Sequence, residues 1–278
     1  MTEPGDAAAP RRILVALEAD EGASALLEAA ADLAAGLDAE LVGLFVEDIE
    51  LLEAADLPVT RTVPSHALVQ GPLDVRLMRR ALRVSANRAG DALAAAAQRR
   101  RVKWSFRVVR GTLEEQVLSE ARQDDLLALG SSGKAVRRAR LAPASRTVAE
   151  QAPCSVLLMQ PPGGAGQPVA VIYDGSERAL ATGERLARIY GRPLVVLAVG
   201  DSEAATAALV RQAVLWCDRH RGGARVRGRT LDSAAEICEA LKSQHPGMLV
   251  LDPLGELVRR FELESLLDEI TCSVLILR

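Results

Sequence analysis

Short runs of apolar residues recur along the chain and end at polar or small residues. The run at 13–17 is followed by Glu18, and the run at 169–173 is followed by Asp174. A continuous apolar run of this length is typical of a strand that is buried on both faces of a sheet. Further runs predict strands at 41–46, 126–129, 154–157, 194–199, 248–251 and 272–275. Two less regular strands are placed at 104–109 and 225–228.

Helical patterns lie between these strands. The segment 74–100 carries apolar residues spaced three, four, seven and four apart, as one face of a helix requires: Val75, Met78, Leu82, Ala89 and Leu93. Further helices are predicted at 24–37, 113–122, 176–190 and 233–243. Because strands alternate with helices, each half of the chain is expected to form a parallel sheet that is covered on both faces.

Matching elements occur in the same order in the two halves, which indicates a duplication. The tetrapeptide Cys-Ser-Val-Leu at 154–157 recurs letter for letter at 272–275, and the strand at 41–46 matches the strand at 194–199. Between the halves, a segment rich in proline and glycine cannot continue a helix or a central strand. We therefore predict two domains, at 11–160 and 169–278, joined by a linker at 161–168.

Composition excludes several classes of protein. Lys and Arg number 34 against 37 Asp and Glu, a balance that does not suit a general nucleic-acid binder or a polybasic membrane surface. The four cysteines and three histidines are scattered, so no zinc site is expected. The chain shows neither a long apolar span nor the pattern of a signal peptide at its start. We expect a cytoplasmic protein that binds no nucleic acid, membrane or metal.

Candidate chemistry lies at the carboxyl ends of the strands, where sheets of this kind bind ligands. The strand at 126–129 runs into Gly130-Ser131-Ser132-Gly133, whose backbone N–H groups and hydroxyls suit an anion, although a plain turn explains the motif equally well. The following loop has no acid but carries cations, which suit either a phosphate or ordinary solvated surface: Lys134, Arg137, Arg138, Arg140 and Arg146.

The second half offers a different motif at the corresponding place. Asp174-Gly-Ser176 follows the strand at 169–173. Asp174 is a candidate to hold a ribose hydroxyl or an adenine amine. The alternative is that Asp174 and Ser176 cap the following helix, since serine is a favoured N-cap residue.

Together, these motifs resemble the universal stress protein family. The resemblance rests on Asp174-Gly-Ser176 after a strand, on Gly130-x-x-Gly133, and on Ala152-Pro-Cys-Ser-Val156 before the last strand of the first half. It covers nearly the whole chain as a tandem pair. It implies an α/β fold of two doubly wound, five-stranded parallel sheets with strand order 3-2-1-4-5. The halves would pair with each other about a pseudo-two-fold axis, and a homodimer or another protein partner is a further expectation.

The resemblance also implies an ATP site, which this sequence has eroded. Members that bind ATP carry nine residues between Gly-x-x-Gly and a following Gly-Ser or Gly-Thr pair. Here Pro143-Ala144 or Ala142-Pro143 stands in that place, and proline lacks the N–H that a phosphate would use. Ser145 keeps a hydroxyl nearby, and Glu18 replaces the family's first-strand aspartate.

The second half departs further from the family's pattern. Gly-x-x-Gly is replaced by Asp252-Pro-Leu-Gly255, and only 17 residues separate Gly255 from Cys272. Five acids lie beside this loop: Glu256, Glu262, Glu264, Asp268 and Glu269. Because like charges repel by about 1 kcal/mol or more per close pair, we predict that this degenerate half binds no ATP.

No motif of a hydrolase or metalloprotease is present, so we expect no enzyme. The favoured interpretation is a tandem universal stress protein that acts as a cytoplasmic binding and regulatory module in a stress response. One alternative is a nucleotide sensor that binds ATP with Mg²⁺ in the first half, and another is a weak nucleotide hydrolase. The candidate nucleotide-binding residues are Glu18, Gly130, Ser131, Ser132, Gly133, Arg137, Arg138, Ser145 and Asp174.

One segment, at 47–72, has no counterpart of similar length in the second half. Its leucines and prolines suit a flap or a partner surface near the crevice. The alternative is a loop that packs on its own domain.

Overall fold

The structure is a computed structural model. It describes residues 10–17, 23–49, 61–62, 71–72, 75–130, 143–160, 166–220, 223–231, 233–255, 266–267 and 269–278.

The first half contains seven strands and four helices among these residues. In chain order they are β1 (Arg12–Leu17), α1 (Ala23–Leu37), β2 (Glu40–Asp48), β3 (Arg61–Thr62), β4 (Gly71–Pro72), α2 (Val75–Arg100), β5 (Trp104–Gly111), α3 (Leu113–Glu120), β6 (Asp125–Gly130), α4 (Pro143–Gln151) and β7 (Ser155–Met159). The second half contains β8 (Val169–Tyr173), α5 (Glu177–Ile189), β9 (Leu194–Gly200), α6 (Glu203–Arg219), β10 (Arg225–Thr230), α7 (Ala234–Lys242), β11 (Met248–Leu251) and β12 (Ser273–Ile276).

Ten of the strands form one sheet in the order β10-β9-β8-β11-β12-β7-β6-β1-β2-β5. Counted within each half, both five-strand sets follow the order 3-2-1-4-5, so the predicted α/β doubly wound fold is confirmed. The two predicted sheets are joined into one, because β7 and β12 pair antiparallel with Leu157 opposite Leu275. All other neighbours in this sheet are parallel.

Helices cover both faces of the sheet, and the strand residues alternate between them. Ile13 and Val15 of β1 pack in a core with α1, α2, α5 and α6, whereas Leu14 and Ala16 pack with α3, α4 and α7. Because each of these two cores includes strands from both halves, burial of apolar surface stabilises the junction between the halves as well as each half.

Helices α1 and α5 meet across the junction. The side chain of Ile189 packs directly against Gly36, where any Cβ would overlap it. The phenol of Tyr190 donates a hydrogen bond to the backbone carbonyl of Ala29, with an O···O distance of 3.3 Å.

Two expectations concern segments that are only partly described. Within 47–72, Arg61–Thr62 pairs antiparallel with Gly71–Pro72, and most of the remaining segment lies outside the described residues. The linker at 161–168 is described only from Gly166 onward. None of the helices in the described part of the chain is long and apolar enough to cross a membrane.

Candidate functional site

In each half, the place where a doubly wound sheet binds ligands is the crevice at the carboxyl ends of its strands. In the first half it lies where β1 and β6 end, and in the second half where β8 and β11 end. Because β7 and β12 run antiparallel, the strands of the two halves point in opposite directions. The two crevices therefore open on opposite edges of the ten-stranded sheet. The predicted site residues accordingly divide into two groups, with Asp174 in the second crevice and the others in the first half.

The turn after β8 opens the second crevice. Gly175 has a φ of 111°, a backbone conformation that glycine adopts without the strain that a side chain brings. Ser176 is the N-cap of α5, and its hydroxyl accepts a hydrogen bond from the backbone N–H of Ala179 at 3.3 Å. The capping role weighed for Ser176 is thus observed.

Asp252, at the end of β11, lies at the centre of a hydrogen-bond network in this crevice. Arg178 donates to both carboxylate oxygens, at 2.7 Å from Nη2 and 3.3 Å from Nε. The Ser176 hydroxyl donates at 2.5 Å and the backbone N–H of Leu254 donates at 3.0 Å. Arg178 also donates to the backbone carbonyl of Arg278 at 3.0 Å, which ties the start of α5 to the residue that follows β12.

This network determines the charge state of Asp252. The residue is only 6 % exposed, and burial by itself raises the pKa of a carboxyl group. The hydrogen bonds from Arg178 and Ser176 outweigh burial, so the pKa of Asp252 is lowered below its ordinary value. The carboxylate is therefore ionised and compensated at neutral pH.

Asp174 lies on the other side of the same crevice. Its carboxylate packs against the backbone of Gly255, so closely that a Cβ at position 255 would overlap it. The turn after β8 and the loop after β11 are therefore in direct contact. Of the five acids predicted beside this loop, Glu269 is described, and its carboxylate accepts a hydrogen bond from Lys242 at 3.0 Å.

In the first half, a different residue stands at the end of the fourth strand, β6. Gly130 ends β6 without a side chain, and a Cβ there would lie 3.0 Å from a terminal methyl of Leu26. Ser145 is in the first turn of α4 and is 6 % exposed. Helix α4 begins at Pro143, which has no N–H to offer an anion.

Most of the other predicted residues of the first crevice lie outside the described residues. They are Glu18, Ser131, Ser132, Gly133, Arg137 and Arg138, together with Lys134 and Arg140. Among the residues that the structure describes, no cluster of His, Cys, Asp or Glu could hold a metal ion.

Comparison with known proteins identifies the family. The model of the universal stress protein family matches residues 10–160, which are 151 of the 278 residues and so just over half of the chain. The chain belongs to the universal stress protein family.

Solved structures share the fold over nearly the full length. A universal stress protein from Archaeoglobus fulgidus DSM 4304 is 15 % identical, with a TM-score of 0.68 and 96 % of both chains covered. A functionally unknown protein from Pseudomonas aeruginosa PAO1 is 15 % identical, with a TM-score of 0.60 and coverage of 97 % of this chain and 92 % of that chain. No protein with a curated function matches this sequence. At these identities, the structural likeness shows the universal stress protein fold alone.

Sequence reasoning identified Asp252 but missed its partner. The aspartate was interpreted as a charge that would repel an anion, whereas the structure pairs it with Arg178, 74 residues away. The available signal was the position of Arg178, two residues after Ser176 and so in the first turn of the helix that follows the universal stress protein motif. A cation there lies beside the end of the fourth strand.

Proposed function

We propose that the chain is a tandem universal stress protein that acts as a binding and regulatory module in a stress response, without catalytic chemistry. Its domains are 11–160 and the degenerate 169–278, with 161–168 as the linker. The family match and the likeness over the full chain length support the tandem arrangement. The network around Asp252 carries the functional part of the proposal, because it closes the second crevice with groups of the chain itself.

A nucleotide phosphate would meet two carboxylates in the second crevice. Asp252 stands at the start of the loop that corresponds to Gly130-x-x-Gly133, the motif that the family resemblance assigns to phosphate. Asp174 packs against the other end of that loop. Arg178 already donates hydrogen bonds to Asp252 and to the backbone carbonyl of Arg278. Binding would therefore require a buried ion pair to break, which costs several kcal/mol. We infer that this half binds no ATP.

The state of the cysteines supports a role without catalysis. Burial raises the pKa of the Cys154 thiol to about 11 and that of Cys272 to about 12. Both groups are therefore protonated at neutral pH, and a thiol is a much weaker nucleophile than a thiolate.

A nucleotide sensor that uses the first half is the second candidate. It is favoured by Gly130, which brings no side chain of its own to the end of β6, and by Ser145, which lies in the first turn of α4. The remaining ligand contacts would come from Glu18, Ser131, Ser132, Gly133, Arg137 and Arg138. Mg²⁺ bound with ATP would offset phosphate charge there.

The test is isothermal titration of the full chain with Mg-ATP, beside an Arg137→Ala/Arg138→Ala variant. The matched control is Arg225→Ala/Arg227→Ala, which removes the same charge from exposed positions on β10 in the other half. The favoured proposal expects no saturable binding at millimolar nucleotide. Binding of one ATP per chain, weakened about tenfold or more in the first variant but not in the control, would instead establish the sensor. Two bound ATP molecules per chain would overturn the closure of the second crevice.

Assembly and location complete the proposal. The chain is expected in the cytoplasm, and a homodimer or another protein partner is expected from the family resemblance. Sedimentation of the purified chain across a concentration series measures directly whether it forms a homodimer.

A further inference from the structure

A cleft of about 450 Å³ opens where the two halves meet. Its walls come from Leu37 at the end of α1, from Thr182, Arg185 and Leu186 on α5, and from Leu126 and Leu277 at strand ends. This volume lies within the range of small-molecule sites. The lining combines leucine side chains with charged ones, among them Arg178, Arg185 and Arg278.

The duplication supplies a second copy of this place for comparison. The strand at 41–46 corresponds to that at 194–199, a shift of 153 positions. The same shift relates Gly36 to Ile189, and these two residues pack against each other, as expected of equivalent residues beside a pseudo-two-fold axis. It also relates Leu37 to Tyr190 and Ala29 to Thr182.

Side chains of the protein fill the equivalent place on the other side of the axis. Tyr190 extends its phenol to the carbonyl of Ala29. The guanidinium of Arg192 lies over the Tyr190 ring, 5.5 Å from its centroid, and its Nη1 lies so near Gly247 that a Cβ there would overlap it. An aromatic ring with one hydroxyl thus completes the packing between α1 and α5 on this side.

The cleft is the pseudo-symmetric equivalent of this filled region, and it lacks those side chains. Leu37 stands where Tyr190 would be, Ala39 stands where Arg192 would be, and Thr182 stands where Ala29 would be. Leu37 and Thr182 both line the cleft, just as Tyr190 and Ala29 meet in its counterpart. The two acids in the wall are compensated: Asp125 accepts two hydrogen bonds from Arg12, at 2.6 and 2.8 Å, and Asp124 pairs with Arg11 at 3.8 Å.

We propose that this cleft binds a small phenolic molecule. The ring of the ligand takes the position that the Tyr190 ring has in the counterpart, and its hydroxyl donates a hydrogen bond to Thr182. Thr182 offers its side-chain hydroxyl as well as its backbone carbonyl, whereas Ala29 offers only a carbonyl. Aromatic rings bury large apolar areas, and the leucines of the cleft supply the matching surface. The cleft borders the second crevice, because Arg178 and Arg278 line both. The proposed ligand contacts Leu37 and Thr182 instead, and its titration is read separately from that of Mg-ATP.

The probe is p-cresol, which is the tyrosine side chain as a free molecule. Titration of the full chain, followed by ligand-observed NMR and calorimetry, is expected to show one saturable site. Toluene has the same ring and methyl group without the hydroxyl, and it is expected to bind about tenfold more weakly, the equivalent of about 1.4 kcal/mol for one hydrogen bond.

The deciding variant is Leu37→Tyr, which fills the cleft with the residue found in its counterpart. It is expected to keep cooperative melting and to lose p-cresol binding. Leu77→Tyr makes the same exchange at an exposed position on α2 and should bind p-cresol as the wild type does. Binding of p-cresol to Leu37→Tyr at wild-type strength, or the absence of saturable binding in the wild type, would overturn the proposal.

A reverse variant gives a second readout. Tyr190→Leu opens the counterpart, so p-cresol is expected to bind with two sites per chain and to raise the melting temperature of this variant by linkage. A folded Tyr190→Leu protein with one site or none would contradict the equivalence of the two places. If that variant does not fold, the Leu37→Tyr titration alone decides.

Discussion

The two crevices of this protein share one fold but differ at the residue that ends the fourth strand. In the first half this residue is Gly130, which brings no side chain to the crevice. In the second half, Asp252 follows the strand and is held by Arg178 and Ser176. The difference teaches that closure of such a crevice needs no new element: an acid at the strand end and a cation in the first turn of the facing helix suffice.

Asp252→Ala should produce the largest effect on this comparison. It removes the carboxylate that compensates Arg178, whose side chain is only 26 % exposed. We expect the free energy of unfolding, measured by urea denaturation, to fall by about 3 kcal/mol. Glu269→Ala is the control, because it breaks the exposed pair with Lys242 and should cost at most about 0.5 kcal/mol. Equal losses in the two variants would show that Asp252 is no more than a surface charge.

Alanine at the two glycines tests how tightly each crevice is filled. Gly255→Ala places a methyl group on the Asp174 carboxylate and should cost about 2 kcal/mol. Gly130→Ala meets only the tip of the Leu26 side chain, which can move, and should cost less than about 1 kcal/mol. Denaturation curves of both variants measure these values.

A double variant tests the cause of that cost. In Asp174→Ala/Gly255→Ala the overlap is gone, so the loss should be smaller than the sum of the two single losses. Additive losses would mean that position 255 clashes with something other than Asp174.

The smallest difference between compared variants is expected for the serine caps. Ser176, Ser202 and Ser233 each accept a hydrogen bond from the helix that they cap, and an N-cap serine is worth about 1 kcal/mol. Ser176 also donates to Asp252, so Ser176→Ala should cost about 1 kcal/mol more than Ser202→Ala or Ser233→Ala. Thermal and urea unfolding of the three single variants would contradict the network around Asp252 if the losses were the same.

The strands of the sheet were predicted well, because a strand that is buried on both faces is visible in the sequence as a continuous run of apolar residues. Strands such as 248–251 are uninterrupted apolar runs, whereas the strand order 3-2-1-4-5 was expected from the family resemblance. The ends of helices were less exact: α3 ends at Glu120, two residues before the predicted end, where Ala121 takes an extended conformation as its cap. The pairing of the two halves was expected only through the family resemblance, and the structure shows that it joins both sheets into one.

The candidate site was predicted less completely, because its contacts join distant parts of the chain. Asp252 and Arg178 each look like an ordinary charge in the sequence, and only the fold brings the end of β11 beside the start of α5. The correspondence between Leu37 and Tyr190 was also not predicted from the sequence, because it is recognised only from the pseudo-symmetry of the junction. The assignment of Asp174 and of the first-half loop to a nucleotide stays a prediction.

The antiparallel seam between β7 and β12 has a consequence for evolution. In a dimer of two identical polypeptides, every mutation appears twice, so both sides of the axis must accept the same residue. Here the two sides belong to one gene product, and each position mutates alone. A tyrosine can therefore seal one side while its equivalent becomes leucine, and one crevice can acquire an internal ion pair while the other keeps a glycine. Two halves within one chain can therefore differ at equivalent positions while they keep the shared sheet that holds them together.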